Sequence, residues 1–177
     1  MRRAGTRRDS NDHPEAVMDD TLRRTMPAEG SLALAENRSD RERSLHALHE
    51  LELRAGSPAP GREAQWLGQV LHSLAALEEM LAAQHENSAD GDSMLSEIQR
   101  DQPRLHNRVV QLRRDYRDLH EAVSRLHTQL QATPPDDIHF ADVRQRLDRL
   151  ATELRYQRAR EADLVYEAFN VDLGAGD

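Results

Sequence analysis

Apolar residues recur at alternating intervals of four and three through the C-terminal half of this chain. The clearest stretch follows Pro103 and ends at Thr133, with repeating positions at Leu105, Val109, Leu112, Tyr116, Leu119, Val123, Leu126 and Leu130. A second stretch begins between Asp136 and Ile138, with positions Val143, Leu147, Leu150, Leu154, Gln157, Glu161, Leu164 and Ala168. This spacing is typical of the buried face of a helix in a bundle, so the pattern predicts two long helices.

Two further helices are predicted upstream. Asp40 is a suitable N-cap, and a short helix from there to Arg54 would turn inward Leu45, Leu48, Leu51 and Leu53. Residues 55–61 (AGSPAPG) break it. The next helix starts near Arg62, and its apolar stripe runs from Trp66 to Leu81. It is expected to fray or kink near residues 88–92 and to resume as far as about Arg100.

Together these elements predict an all-α protein, an up-down antiparallel four-helix bundle over residues 41–173. Residues 1–40 are rich in charged residues, Ser, Pro and Gly, with no sustained apolar period, which predicts a disordered arm. Residues 174–177 are expected to form a flexible tail. Met18 and Met26 lie within the arm, so translation could start at either of them instead of at Met1.

The amino-acid composition excludes several classes of functional site and partner. The chain has no cysteine, which excludes disulfides, thiolate catalysis and zinc–thiolate sites. All 24 basic residues are arginine, so lysine Schiff-base chemistry is excluded too. A net charge of −8 argues against nucleic acid as a partner. No apolar run suggests a membrane span or a secretory signal, and a cytoplasmic location is expected.

Some positions of the predicted core are polar. Gln157 and Glu161 lie on the seam of the fourth helix, Tyr116 and His120 on or beside that of the third, and His85 follows the stripe of the second. A buried carboxylate is costly unless it is paired, hydrogen-bonded or bound to metal. These residues therefore indicate a structural hydrogen-bond network, a metal site or, with less support, an acid–base pair. His46 and His49 are predicted to be surface or boundary residues, His106, His127 and His139 to be solvated or flanking, and Glu78-Glu79 to lie on a solvated face.

Several segments resemble one known family. They are residues 58–63 (PAPGRE) with Trp66, residues 81–85 with Asp90-Gly91, residues 103–105 and 112–116, and residues 162–168 (ADLVYEA) with residues 172–174. The chain from about Ser44 to Leu173 resembles the hemerythrin-like (HHE cation-binding) domains, in particular an actinobacterial-type branch. The resemblance implies an up-down four-helix bundle that holds iron through histidines and carboxylates.

Under this resemblance His85 falls at a usual histidine position, and Asp90 lies near an expected carboxylate. Tyr116 and His120 take the two places of the third helix, and Glu161 follows Gln157, which stands where histidine is usual. The metal ligands implied are thus His85, Asp90, Tyr116, His120 and Glu161, with iron as the cofactor and no catalytic residue. A mononuclear site of His85, His120 and Glu161 alone would resemble a two-histidine, one-carboxylate arrangement, and a chain that binds no metal is the alternative.

Two functions follow, and a third, an oxygen-dependent or hydrolytic enzyme, has the least support. One is a hemerythrin-like protein that binds iron or senses redox state or oxygen with an incomplete ligand set. The other is a metal-free helical interaction module, whose partner would be a second copy or an unidentified protein.

Overall fold

The computed structural model describes residues 28–170, and this part of the chain consists of helices joined by short turns, with no strand. Its α-helices are α1 (Ala28–Gly56), α2 (Glu63–Ala89), α3 (Met94–Asp101), α4 (His106–Ala132) and α5 (Phe140–Asn170). Short 3-10 turns at Pro103–Leu105 and Pro135–Asp137 precede α4 and α5. Most of the predicted arm and all of the predicted tail lie outside the described residues.

The first helix is longer than predicted. It begins at Ala28, whereas the sequence pattern placed its start at Asp40. Residues 28–38 contain several Ala, Leu and Glu, and these residues favour a helix even where no apolar stripe recurs. The part of the predicted disordered arm from residue 28 onward is therefore helical.

The inward face of α1 also differs from the prediction. Leu48 and Leu51 are buried as expected, but Leu45 and Leu53 are 45% and 54% exposed. Ser44 takes the place expected of Leu45 and is completely buried. The seam of α1 passes through Ser44 because that side chain meets an arginine inside the bundle.

The interruption between α2 and α3 confirms the predicted break. Ser93 caps α3, its hydroxyl accepting a hydrogen bond from the Ser96 backbone N–H. Arg113 on α4 links the end of α2 to α3. Its guanidinium donates to the Ser88 carbonyl at 2.8 Å, to Gln99 at 2.7 Å and to the Ser96 hydroxyl at 2.8 Å.

The contacts between neighbouring helices show that they are antiparallel: residue numbers rise along one helix as they fall along the other. Ser44 contacts Arg158 while the Ala55 carbonyl contacts Arg144, so α1 and α5 run in opposite directions. The same reversal relates α2 to α4, through Glu78–His127 and Ser88–Arg113, and α4 to α5, through Asp115–Arg160 and Gln129–Arg146. Each long helix therefore packs against two others, in the circular order α1, α2, α4, α5. Within residues 28–170, every helix is too short or too polar to cross a lipid bilayer.

The predicted seams of α4 and α5 are confirmed, since all of their positions are buried. The interior is not apolar throughout, however. One apolar cluster reaches Leu81, Leu119 and Leu154, and a second begins at Tyr116 and Leu164. Between the two clusters lies a layer of buried polar side chains, which we call the polar layer: Ser44, Gln84, Gln157, Arg158 and Glu161.

Arg144 on α5 binds the end of the bundle where a loop connects α1 to α2. Its guanidinium donates to the carbonyls of Ala55 and Ser57 at 2.8 and 2.7 Å and lies 5.5 Å from the centre of the Trp66 ring. We expect Arg144→Met to lower the free energy of unfolding by about 1–3 kcal/mol, because both carbonyls lose a charged donor. Urea titration of the variant measures this loss. The matched control is Arg114→Met on the exposed face of α4, and an equal effect of both substitutions would contradict the role given to Arg144.

Candidate functional site: a buried arginine–glutamate network

Arg158 is the centre of the polar layer. Its side chain and that of Glu161 are each 5% exposed, and Arg158 Nη1 donates to Glu161 Oε2 at 2.6 Å. Arg158 Nε donates to Ser44 Oγ at 2.8 Å, and Nη2 donates to Gln84 Oε1 at 3.0 Å. One guanidinium thus connects α5 with α1 and α2, and each of its three nitrogens has an acceptor.

Tyr116 brings α4 into the same network. Its buried hydroxyl interacts with both Glu161 and Gln84. Burial first, and then the negative charge of Glu161, raise the pKa of Tyr116 well above its usual value of 10.0. Tyr116 is therefore a neutral phenol that keeps its proton and donates a hydrogen bond to the Glu161 carboxylate. All four long helices thus contribute a side chain to the network.

The structure brings together only some of the residues that the sequence singled out. Tyr116 and Glu161 interact directly. His85 is half-buried on α2, and its Nδ1 is enclosed without a hydrogen-bond partner among the described residues. His120 is half-buried on α4, close enough to Glu78 on α2 to lower the pKa of that carboxyl. Asp90 is exposed after α2, where it accepts the backbone N–H of Asp92 at 3.1 Å.

This arrangement does not fit an iron site at Glu161. The guanidinium of Arg158, which cannot be deprotonated, occupies one of the Glu161 oxygens. Tyr116 would have to become a phenolate to ligate a metal, and its surroundings oppose that ionisation. Among residues 28–170, no three His, Cys, Asp or Glu side chains are arranged to hold a metal ion.

Sequence reasoning found the polar seam but missed its main member. Arg158 lies one position from the seam, and arginine is usually a surface residue. A signal was nevertheless present, because a carboxylate at a core position needs a cation and Arg158 precedes Glu161 by three on the same helix face. Nothing in the sequence indicated that Ser44 and Gln84 are buried, since serine and glutamine are mostly found at the surface.

Gln157 is the member of the polar layer that lies outside the network. It is 1% exposed, and neither its amide oxygen nor its amide nitrogen has a hydrogen-bond partner among the described residues. Burying an amide without partners costs free energy. Gln157 therefore weakens the fold at the position where the resembled family usually has a histidine.

A second, partly buried contact joins α2 to α4. Glu78 Oε2 and His127 Nδ1 are 2.6 Å apart, and their side chains are 25% and 13% exposed. Glu78 was predicted to lie on a solvated face, and the structure corrects this: it is partly buried against His127, which was predicted to be solvated or flanking. A hydrogen bond from Ser124 is the largest cause that lowers the pKa of Glu78, and the bond to His127 adds to it against the opposing effect of burial.

Comparisons with known proteins identify no relative: no family model, no curated protein and no solved structure matches this chain. The assignment of function therefore depends on the geometry of the polar layer and of the outer surface.

We expect Gln157→Met to stabilise the protein by about 1 kcal/mol or more, because two unpartnered polar atoms are removed with little change in volume. Thermal and urea unfolding measure the change. Gln84→Met is the matched control: Gln84 is buried on the facing helix but accepts a hydrogen bond from Arg158, so its loss should destabilise. Destabilisation by both substitutions would show that Gln157 is not an unsatisfied group.

The Glu78 contact predicts a pH dependence. Because the folded-state pKa of Glu78 lies below its usual 4.5, its contribution is complete above that pH and is lost as the pH falls through the folded-state pKa. Glu78→Gln should therefore destabilise the protein at neutral pH, and its free energy of unfolding should fall less than that of the wild type below pH 4.5. Urea unfolding over this pH range is the measurement. Parallel curves for the two proteins would reject the prediction, and Glu79→Gln on the exposed face of α2 is the control.

Proposed function

We propose that the chain is a metal-independent helical interaction module, an up-down antiparallel four-helix bundle whose interior carboxylate is neutralised by arginine. The observation that carries this proposal is the 2.6 Å contact between Arg158 and Glu161 within the polar layer. A fixed cation thus stands beside the carboxylate that a bound metal would otherwise neutralise. The hemerythrin-like relationship and its iron remain a prediction from the sequence.

The network supports a structural role because its polar groups are committed to one another. The guanidinium donors of Arg158 have acceptors on three helices. Tyr116 holds its proton toward Glu161, and Gln84 is used by both Arg158 and Tyr116. Side chains that are about 95% enclosed and mutually paired do not present a surface to a ligand, which leaves the outer faces of the helices as the place where the module acts.

Metal analysis tests this proposal. Protein purified with iron in the growth medium, and again after incubation with Fe(II), should hold no stoichiometric metal, and its melting temperature should not change with Fe(II) or a chelator. The paired variant His85→Ala/His120→Ala should retain the binding partners of the wild type. Near-stoichiometric iron, lost together with partner binding in that variant, would overturn the proposal in favour of the iron protein.

The buried pair also predicts strong energetic coupling. Arg158→Met and Glu161→Met should each cost about 3–5 kcal/mol, because each leaves one buried charge unpaired. The double variant should be more stable than either single variant, since it removes both charges. Urea unfolding of the four proteins gives the coupling energy. The comparison pair is the half-exposed Arg54 and Glu50, 3.1 Å apart, which should couple by less than about 1 kcal/mol. Additive losses at Arg158 and Glu161 would contradict the network.

A further inference from the structure

The groove between α4 and α5 is the outer feature with the most distinctive chemistry. It consists of two adjoining hollows, of about 240 and 350 Å³, which share Glu153. Its floor includes the buried side chains of Leu119, Leu126 and Leu150. We call the hollow toward Arg160 the acidic half and the hollow toward Arg146 the basic half.

The two halves carry opposite charge. The acidic half is lined by Asp115, Asp118 and Glu153, with Arg160 as its one cation. The basic half is lined by Arg125, Arg146 and Arg149, with Glu153 as its one carboxylate. From residue 146 to residue 160 the groove follows α5 for about 21 Å at 1.5 Å per residue, so the charges are separated along the groove axis.

Two of these charges have no partner in the described part of the chain. Glu153 and Arg149 are exposed and are four residues apart on α5, yet neither forms an ion pair or hydrogen bond with another described residue. The other charged residues of the groove have partners within the chain: Asp115 pairs with Arg160 at 2.9 Å, Asp118 with Arg117 at 2.8 Å and Arg125 with Glu121 at 3.3 Å, and Arg146 donates to Gln129 at 2.8 Å. Glu153 lies at the boundary that the two halves share, and Arg149 lies one helical turn away from it in the basic half. Tyr156, 63% exposed, adds an aromatic side chain to the acidic half.

A twofold axis through the middle of this groove would place the acidic half of one copy on the basic half of another. Such an isologous contact is the usual form of a homodimer interface, and it requires a surface that is complementary to itself. A partner of uniform charge would be attracted by one half and repelled by the other. We infer that the α4–α5 groove is a homodimer interface, in which Glu153 of each copy pairs with Arg149 of the other. This inference deepens the proposed interaction module by naming its partner.

Charge reversal gives a test in which loss and rescue are both specified. In an Arg149→Glu homodimer two acids oppose each other at each contact, and in a Glu153→Arg homodimer two cations do so. Each single variant should therefore weaken dimerisation at least tenfold in Kd. The double variant Arg149→Glu/Glu153→Arg restores opposite charges and should dimerise like the wild type.

Mixing the two single variants provides the sharper result. Arg149→Glu has acids at both positions and Glu153→Arg has cations at both, so an equimolar mixture should form a heterodimer although neither variant dimerises well alone. Sedimentation velocity of the full chain measures the species, and circular dichroism checks that each variant is folded. Glu79→Arg, a charge reversal on the exposed face of α2, is the control and should leave the Kd unchanged.

A wild-type chain that is monomeric at about 100 µM, where even weak specific dimers associate, would overturn the inference. So would single variants with an unchanged Kd, or a mixture that forms no heterodimer. Retention of a different, basic protein partner by a monomeric chain would likewise overturn the homodimer. These outcomes leave the metal analysis unaffected, so failure of the dimer and failure of the metal-independent module are distinguishable.

Discussion

The ion pair between Arg158 and Glu161 is the interaction on which the arrangement of the helices depends. Removing two charges from water is costly, and a buried pair is tolerated only when further hydrogen bonds satisfy the remaining donors and acceptors. Here Ser44, Gln84 and Tyr116 supply those bonds from the other three long helices. A shift of any one helix by a single turn, about 5.4 Å, would separate its side chain from the network and leave a buried charge or dipole unpaired.

This dependence gives the polar layer a role that the apolar clusters cannot fill. Seams made largely of leucine at heptad spacing are nearly equivalent after a shift of seven residues, so apolar burial alone defines the register of the helices weakly. The polar layer interrupts the apolar core at one height, between Leu154 and Leu164 on α5. Only one alignment then pairs all of its members. Burying these charges costs free energy, and the network in return restricts the helices to a single packing.

Periodicity predicted the helical fold and the inward faces of α4 and α5, because those helices repeat an apolar seam over many turns. It failed on α1, where Leu45 is exposed and Ser44 is buried, since the demand for a hydroxyl comes from Arg158 on a distant helix and leaves no mark on the local pattern. The candidate site shows the same division. The polar seam positions Tyr116 and Glu161 were predicted from spacing, whereas the partner of the carboxylate was missed because arginine is normally assigned to solvent.

The identity of that partner determines what chemistry the interior allows. A histidine beside Glu161 would give up a proton near neutral pH and become a metal ligand, but a guanidinium keeps its charge. A metal entering this layer would first have to displace Arg158, which would strand Ser44 and Gln84 without their donor and leave a second cation nearby. Each of these changes opposes binding. Because these buried groups are bound to one another, a recognition function would have to use the outer surface of the helices. On that surface Glu153 and Arg149 are exposed and have no partner among the described residues.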